Sequence, residues 1–123
     1  MRAIILISPS PNELKSIFDQ WSAQGKCDFV FNNRLSIATE IGHFFIDPLE
    51  NGRDYYDLNE LNSQIIDNYY FYSICFSDKD AISKFVENTR FQEGSLLDND
   101  FGKIEQVNKL KNDNLSFFIE QII

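Results

Sequence analysis

Apolar residues recur along this chain in two periods, and the switches between them outline its elements. Arg2 to Ile7 is apolar almost throughout (Ala3-Ile4-Ile5-Leu6-Ile7), which predicts an interior strand. Ser10-Pro11-Asn12-Glu13 then offers a helix start: Ser10 as cap, Pro11 preset for the first helical position, Glu13 closing an S-x-x-E capping box. Leu14, Ile17, Phe18 and Trp21 follow at i, i+3, i+4 and i+7, a single stripe that faces a sheet, and Gly25 is the natural stop. The period then shortens to two. Asp28 to Asn32 and Leu35 to Ile41 read as strands joined at Asn32-Asn33-Arg34, with Leu35, Ile37, Thr39 and Ile41 on one face. A bulge or second turn at Gly42 before His43-Phe44-Phe45-Ile46 makes this a three-stranded antiparallel meander, ended by Pro48.

Residues 47–56 are loop-like in composition, and Asp57-Leu58-Asn59-Glu60 opens a second helix with another capping box. Tyr69-Tyr70-Phe71-Tyr72-Ser73-Ile74-Cys75-Phe76 is the most apolar stretch. It is too short to span a membrane, and its aromatic and β-branched content predicts a central strand covered on both faces. Ser77-Asp78 caps a third helix with Ala81, Ile82, Phe85 and Val86 on one face, finishing near Asn88. A hairpin is predicted over 95–107, with a strand at Ser95-Leu96-Leu97-Asp98, a turn at Asn99-Asp100 and a return strand from Phe101 to Val107. A C-terminal helix follows, marked by Leu115, Phe118, Ile119 and Ile122. The expected class is α+β: a single mixed, largely antiparallel sheet with about four helices and a central strand near 69–76.

Composition bounds this picture. The 123 residues fit one domain, 1–123, and 43% hydrophobic content with 12 Phe, 5 Tyr and 1 Trp excludes intrinsic disorder. The first apolar run is short and ends at Ser8-Pro9-Ser10-Pro11 without a small-residue cleavage site, so no signal peptide is expected and the predicted location is cytoplasmic. Cys27 and Cys75 lie in apolar surroundings, which predicts two buried free thiols.

The net charge of −8 is unevenly spread. Residues 40–67 hold seven acids (Glu40, Asp47, Glu50, Asp54, Asp57, Glu60, Asp67) against Arg53 alone, whereas residues 1–39 carry +1 and residues 68–123 carry −3. This balance argues against direct binding to nucleic acid or to an anionic membrane and permits attraction to a cationic partner.

Candidate chemistry is sparse. Asp98-Asn99-Asp100-Phe101-Gly102 suggests a calcium loop, but counting from Asp98 the glycine falls at position five and Lys109 at position twelve, so a polar turn explains it better. His43 is the only histidine, and Cys75 has no neighbouring cation in sequence to lower its pKa. One His and two dispersed Cys lack zinc-ligand spacing. The glycines at 25, 42, 52, 94 and 102 stand singly, so there is no phosphate-binding loop. The expectation is a non-enzyme with no metal and no cofactor.

What remains is the acidic stretch with paired tyrosines at its middle. Tyr supplies apolar contact area at low entropic cost and carboxylates pair with Lys or Arg across an interface. The candidate partner-binding residues are Asp47, Glu50, Asp54, Tyr55, Tyr56, Asp57 and Glu60, extended by Asp98 and Asp100. The plainer explanation is that a tyrosine covers the core edge while the acids are merely solvated.

Length, acidity, the alternation of helices with an antiparallel-rich sheet, and the segment Ser95-Leu96-Leu97-Asp98-Asn99-Asp100-Phe101-Gly102-Lys103-Ile104 together resemble bacterial immunity proteins. These are the small partners of polymorphic and contact-dependent growth-inhibition toxins. The resemblance implies non-catalytic occlusion of a cationic toxin domain, often a nuclease, by a chain that is a monomer or weak homodimer. It carries over no individual residue. Two alternatives come from other classes: an acidic nucleic-acid mimic that regulates a host DNA-binding protein, and a small hydrolase using a carboxylate pair.

Overall fold

A computed structural model describes residues 2–24, 26–30, 33–40, 42–49, 69–99, 104–112 and 115–120. Its strands are β1 (Arg2–Ser8), β2 (Lys26–Val30), β3 (Arg34–Ala38), β4 (His43–Pro48), β5 (Tyr70–Phe76), β6 (Leu96–Asp98) and β7 (Ile104–Gln106). Its helices are α1 (Glu13–Trp21), α2 (Lys79–Asn88), α3 (Val107–Asn112) and α4 (Leu115–Glu120). The seven strands form one sheet in the order β2-β3-β4-β5-β1-β6-β7, and every pairing is antiparallel. The fold is α+β, and β5 is the middle strand of the seven.

The meander at β2-β3-β4 follows from its turns. Asn33 sits at φ 62°, a left-handed conformation that Asn tolerates better than most residues, and it closes the β2–β3 connection. At the other end the Thr39 backbone N–H donates to the Gly42 carbonyl at 3.0 Å, so β3 stops at Ala38 rather than reaching residue 41. Space is tight at Gly42: a Cβ would lie 3.0 Å from the Cβ of Ala81 on α2, so one of the two would have to shift.

One face of the sheet carries the main core. Ile4 and Leu6 of β1, Leu35 and Ile37 of β3, Phe44 and Ile46 of β4, and Ile74 and Phe76 of β5 are fully buried. Against them pack Ile17 and Trp21 of α1, Ile82, Phe85 and Val86 of α2, Leu110 of α3, and Phe118 and Ile119 of α4. All four helices therefore supply the same face. Trp21 stacks on Phe85 at 5.3 Å, and its indole N–H donates to Thr89 Oγ1 at 2.8 Å, so the large ring is buried with its polar atom satisfied. Asn99 ties the β6 end to α4 by donating to the Phe118 carbonyl at 3.3 Å.

Several expectations are corrected. The capping box at Ser10–Glu13 does not form: Asn12 occupies the cap position of α1 without a side-chain cap bond, and Glu13 turns inward. Ser10 Oγ accepts instead from the Asn12 N–H at 3.1 Å. The cap at Asp78 does form, accepting from the Asp80 N–H at 2.9 Å, and α2 ends at Asn88. Among the described residues the return strand is Ile104–Gln106, and it stops short of Val107, which starts α3, a short helix that the sequence pattern did not indicate. The predicted helix from residue 57 lies outside the described residues. The expected cover on both faces of β5 is also uneven. On the side away from the helices Phe71 is buried with Ile7, while Ser73 and Cys75 are half-buried.

Candidate functional site

The two central strands locate the acidic stretch. Pro48 near the end of β4 is the register partner of Tyr72 on β5, and the Leu49 N–H donates to the Phe71 carbonyl at 2.8 Å. Leu49 and Tyr69, which flank residues 50–68 in sequence, therefore stand at the same end of the neighbouring strands β4 and β5. Leu49 and Tyr69, the flanking residues, pack on the Ile7–Phe71 cluster, which fixes both roots.

Of the nine residues singled out in the sequence, Glu50, Asp54, Tyr55, Tyr56, Asp57, Glu60 and Asp100 lie outside the described residues. The other two are not brought together. Asp47 is on β4, where Arg34 Nε and Nη2 donate to its two carboxylate oxygens at 2.7 and 3.0 Å. Asp98 is at the end of β6 and only 8% exposed, which places it in the interior and not on a surface a partner would meet.

The sheet face opposite the helices holds a polar array around Asp47. The Arg34 guanidinium lies 4.9 Å from the centroid of the Phe45 ring, and its pKa is raised first by the hydrogen bond to Asp47 and then by that carboxylate's charge. Ser36 Oγ and His43 Nε2 are 2.9 Å apart, and the His43 ring tilts against Phe45 at 4.4 Å. Ser73 Oγ lies 3.8 Å from Cys75 Sγ, and Cys75 contributes to the field at Arg34, a cation that the sequence neighbourhood of the thiol did not reveal. Each polar group here has a local partner: Arg34 with Asp47, Ser36 with His43, Ser73 with Cys75. Such an array stiffens a surface. One of its contacts does set a hydroxyl beside a candidate base, Ser36 Oγ against His43 Nε2, at an exposed part of the sheet.

The signal for the Arg34–Asp47 pair was present but needed the register. Once Ala38 is set opposite His43, Leu35 falls opposite Ile46, and one step farther from the turn the same register brings 34 to 47. Glu13 was missed for a different reason, because its partners are some 80 residues away. It is fully buried, its carboxylate accepts the Gln92 N–H at 3.1 Å, and Ser95 Oγ donates to Oε1 at 2.7 Å. Its charge also helps to raise the pKa of Tyr72, although burial is the larger cause.

A surface cleft of about 760 Å³ separates α1 from residues 90–93. Its polar groups are largely used by the fold. Gln20 and Arg90 exchange two hydrogen bonds of 2.7 Å between the Gln20 side chain and the Arg90 backbone, and Lys15 pairs with Asp19 at 3.3 Å. Among the described residues there is no group of three or more His, Cys, Asp or Glu placed to hold a metal ion, and no helix long and apolar enough to cross a membrane. Compared with known proteins, the chain matches no family model, no curated protein and no solved structure.

Proposed function

We propose that this protein is an immunity-type inhibitor that binds and occludes a cationic protein domain, without catalysis, through the acidic segment inserted between β4 and β5. One observation carries the reading. Residues 50–67 hold five acids against Arg53, and both ends of the segment are hydrogen-bonded or packed onto the two middle strands of a seven-stranded sheet. A charged segment anchored at both ends loses less entropy on docking than one on a tail. Its field speeds encounter with a basic partner and weakens as salt is added. Asp47 and Asp98 are left out of this surface, since Arg34 neutralises the first and burial removes the second.

The test is titration of the chain against the basic domain encoded by the adjacent upstream gene, at low and high salt. The expected result is a complex whose association rate falls with salt and whose affinity drops at least about tenfold when Asp54→Asn, Asp57→Asn and Glu60→Gln are combined. Unchanged affinity of that variant removes the acidic surface. Failure of the two proteins to associate at any salt removes the reading.

A further inference from the structure

The seven-stranded sheet has two edges, and they are built differently. β7 is three residues long, and the chain leaves it directly into α3, where the Val107 N–H turns back to the Ser95 carbonyl at 3.0 Å. A short edge capped by a helix is a protected one. β2 is five residues long, and among the described residues it pairs with β3 alone. Phe29 is 48% exposed and Val30 44%, two of the three exposed large hydrophobic residues described in the chain. They project to opposite faces, since successive side chains of a strand alternate. Phe29 is held in place by stacking on Phe18 of α1 at 5.3 Å. Asp28, between Cys27 and Phe29, is exposed on the face opposite the helices and is the register partner of Ser36.

An open edge with apolar side chains on both faces is a template for another strand. The charges decide between occupants. A second copy would bring together two chains of net charge −8. Antiparallel pairing centred on Asp28 would set that carboxylate against its twin, and although pairing centred on Cys27 would set it against the copy's Lys26, the net charge opposes either register. A basic segment meets neither penalty. Resting on the cationic partner read above, we infer that the outer edge of β2 takes an extended segment of that partner as an additional strand. A Lys or Arg of the segment lies beside Asp28, and its apolar residues lie beside Phe29 and Val30.

The probes are two short synthetic peptides, one alternating Lys with Val and Thr, the other carrying Glu in place of Lys. Each is titrated into the isotope-labelled full chain while amide shifts and hydrogen exchange are followed. The Lys peptide is expected to shift and protect the amides of Lys26–Val30, and the Glu peptide to leave them unchanged. Phe29→Ser with Val30→Thr, both at exposed positions, is expected to weaken the Lys peptide at least about tenfold, and Asp28→Lys to reverse the preference between peptides. Equal binding of both peptides, or no binding, overturns the inference. So does a dimer in sedimentation that Asp28→Lys tightens, since that gives the edge to a second copy. Binding of the Lys peptide with shifts confined to Tyr69–Phe71 also overturns it, while leaving the cationic-partner reading in place. That reading stands or falls separately, on whether the intact basic domain binds.

Discussion

The two faces of this sheet use the same strands for opposite purposes. On the helix side, successive buried residues of β3, β4, β5 and β1 meet Trp21, Phe85 and Phe118 in one continuous apolar layer. On the other side, β3, β4 and the later half of β5 present Arg34, Ser36, His43, Phe45, Asp47, Ser73 and Cys75, exposed or half-buried and paired locally with one another, while Ile7 of β1 and Phe71 of β5 form a small buried cluster beside them. The alternation of a strand thus separates cohesion from surface: what holds the fold together and what a partner could meet lie one residue apart. Changes on the first face should cost far more stability than changes on the second.

Phe85→Ala should show the largest loss. The ring is fully buried and contacts both Trp21 at 5.3 Å and Phe44 at 4.7 Å, so its removal opens a cavity between α1, α2 and β4. Large-to-small changes of this kind cost about 3–5 kcal/mol. Urea unfolding should show the free energy fall by that amount, through a lower midpoint with an unchanged slope. A loss below about 1 kcal/mol would mean that the helix layer is not the cohesive face.

Glu13→Ala comes next. It leaves the Gln92 N–H and the Ser95 hydroxyl without their acceptor in a buried site, and each such orphan costs about 1–3 kcal/mol. Because these bonds join the start of α1 to the turn before β6, hydrogen exchange should rise at Gln92 and Ser95 before it rises in β4 or β5. Glu13→Gln keeps one accepting oxygen and should lose less.

Glu13 also marks where sequence reasoning stops. Periodicity located the stripe of α1, the meander, the middle strand and α2, because each depends on neighbours within a few positions. The sign at Glu13 was misread since S-x-x-E is a local signature, whereas the true partners come from Gln92 and Ser95, joined to it only through the β1–β6 pairing. Val107 was read as strand because apolar residues alone do not show that the chain turns into a helix there. Asp98 looked like a surface turn residue because burial depends on packing against later segments. The edge status of β2 was equally hidden, since no local pattern says which strand of a meander lies outermost.

On the open face, breaking Arg34–Asp47 should have a smaller effect than Glu13→Ala. The Arg34 side chain is 43% exposed and that of Asp47 27%, so water replaces much of the lost interaction. A double-mutant cycle with Arg34→Ala and Asp47→Ala should give a favourable coupling that shrinks as salt rises. A coupling as large as the Glu13 loss, and insensitive to salt, would erase the distinction between the faces.

The two cysteines give the finest comparison, one on each face. Cys27 is buried on the helix side, 4.0 Å from the Phe18 carbonyl, and burial followed by the charge of Asp28 pushes its thiol up to about 11 from an ordinary 9.0. Cys75 is half-buried on the other side. A thiol reagent applied to the folded chain near neutral pH should therefore label Cys75 first, and Cys27 only as the edge opens. The stability consequence has a definite sign. With the folded pKa above the unfolded one, the native state holds more protons between roughly pH 9 and 11. The contribution of Cys27 is thus complete below about pH 9 and is lost as pH rises through about 11. Tyr72, also raised by burial, adds a fall of the same sense at higher pH, so the unfolding profile of Cys27→Ala must be subtracted from that of the parent chain. The difference should decline across that window. A flat difference would mean that the thiol is as solvated in the folded chain as in the unfolded one, and that the helix side of β2 is as open as its outer edge.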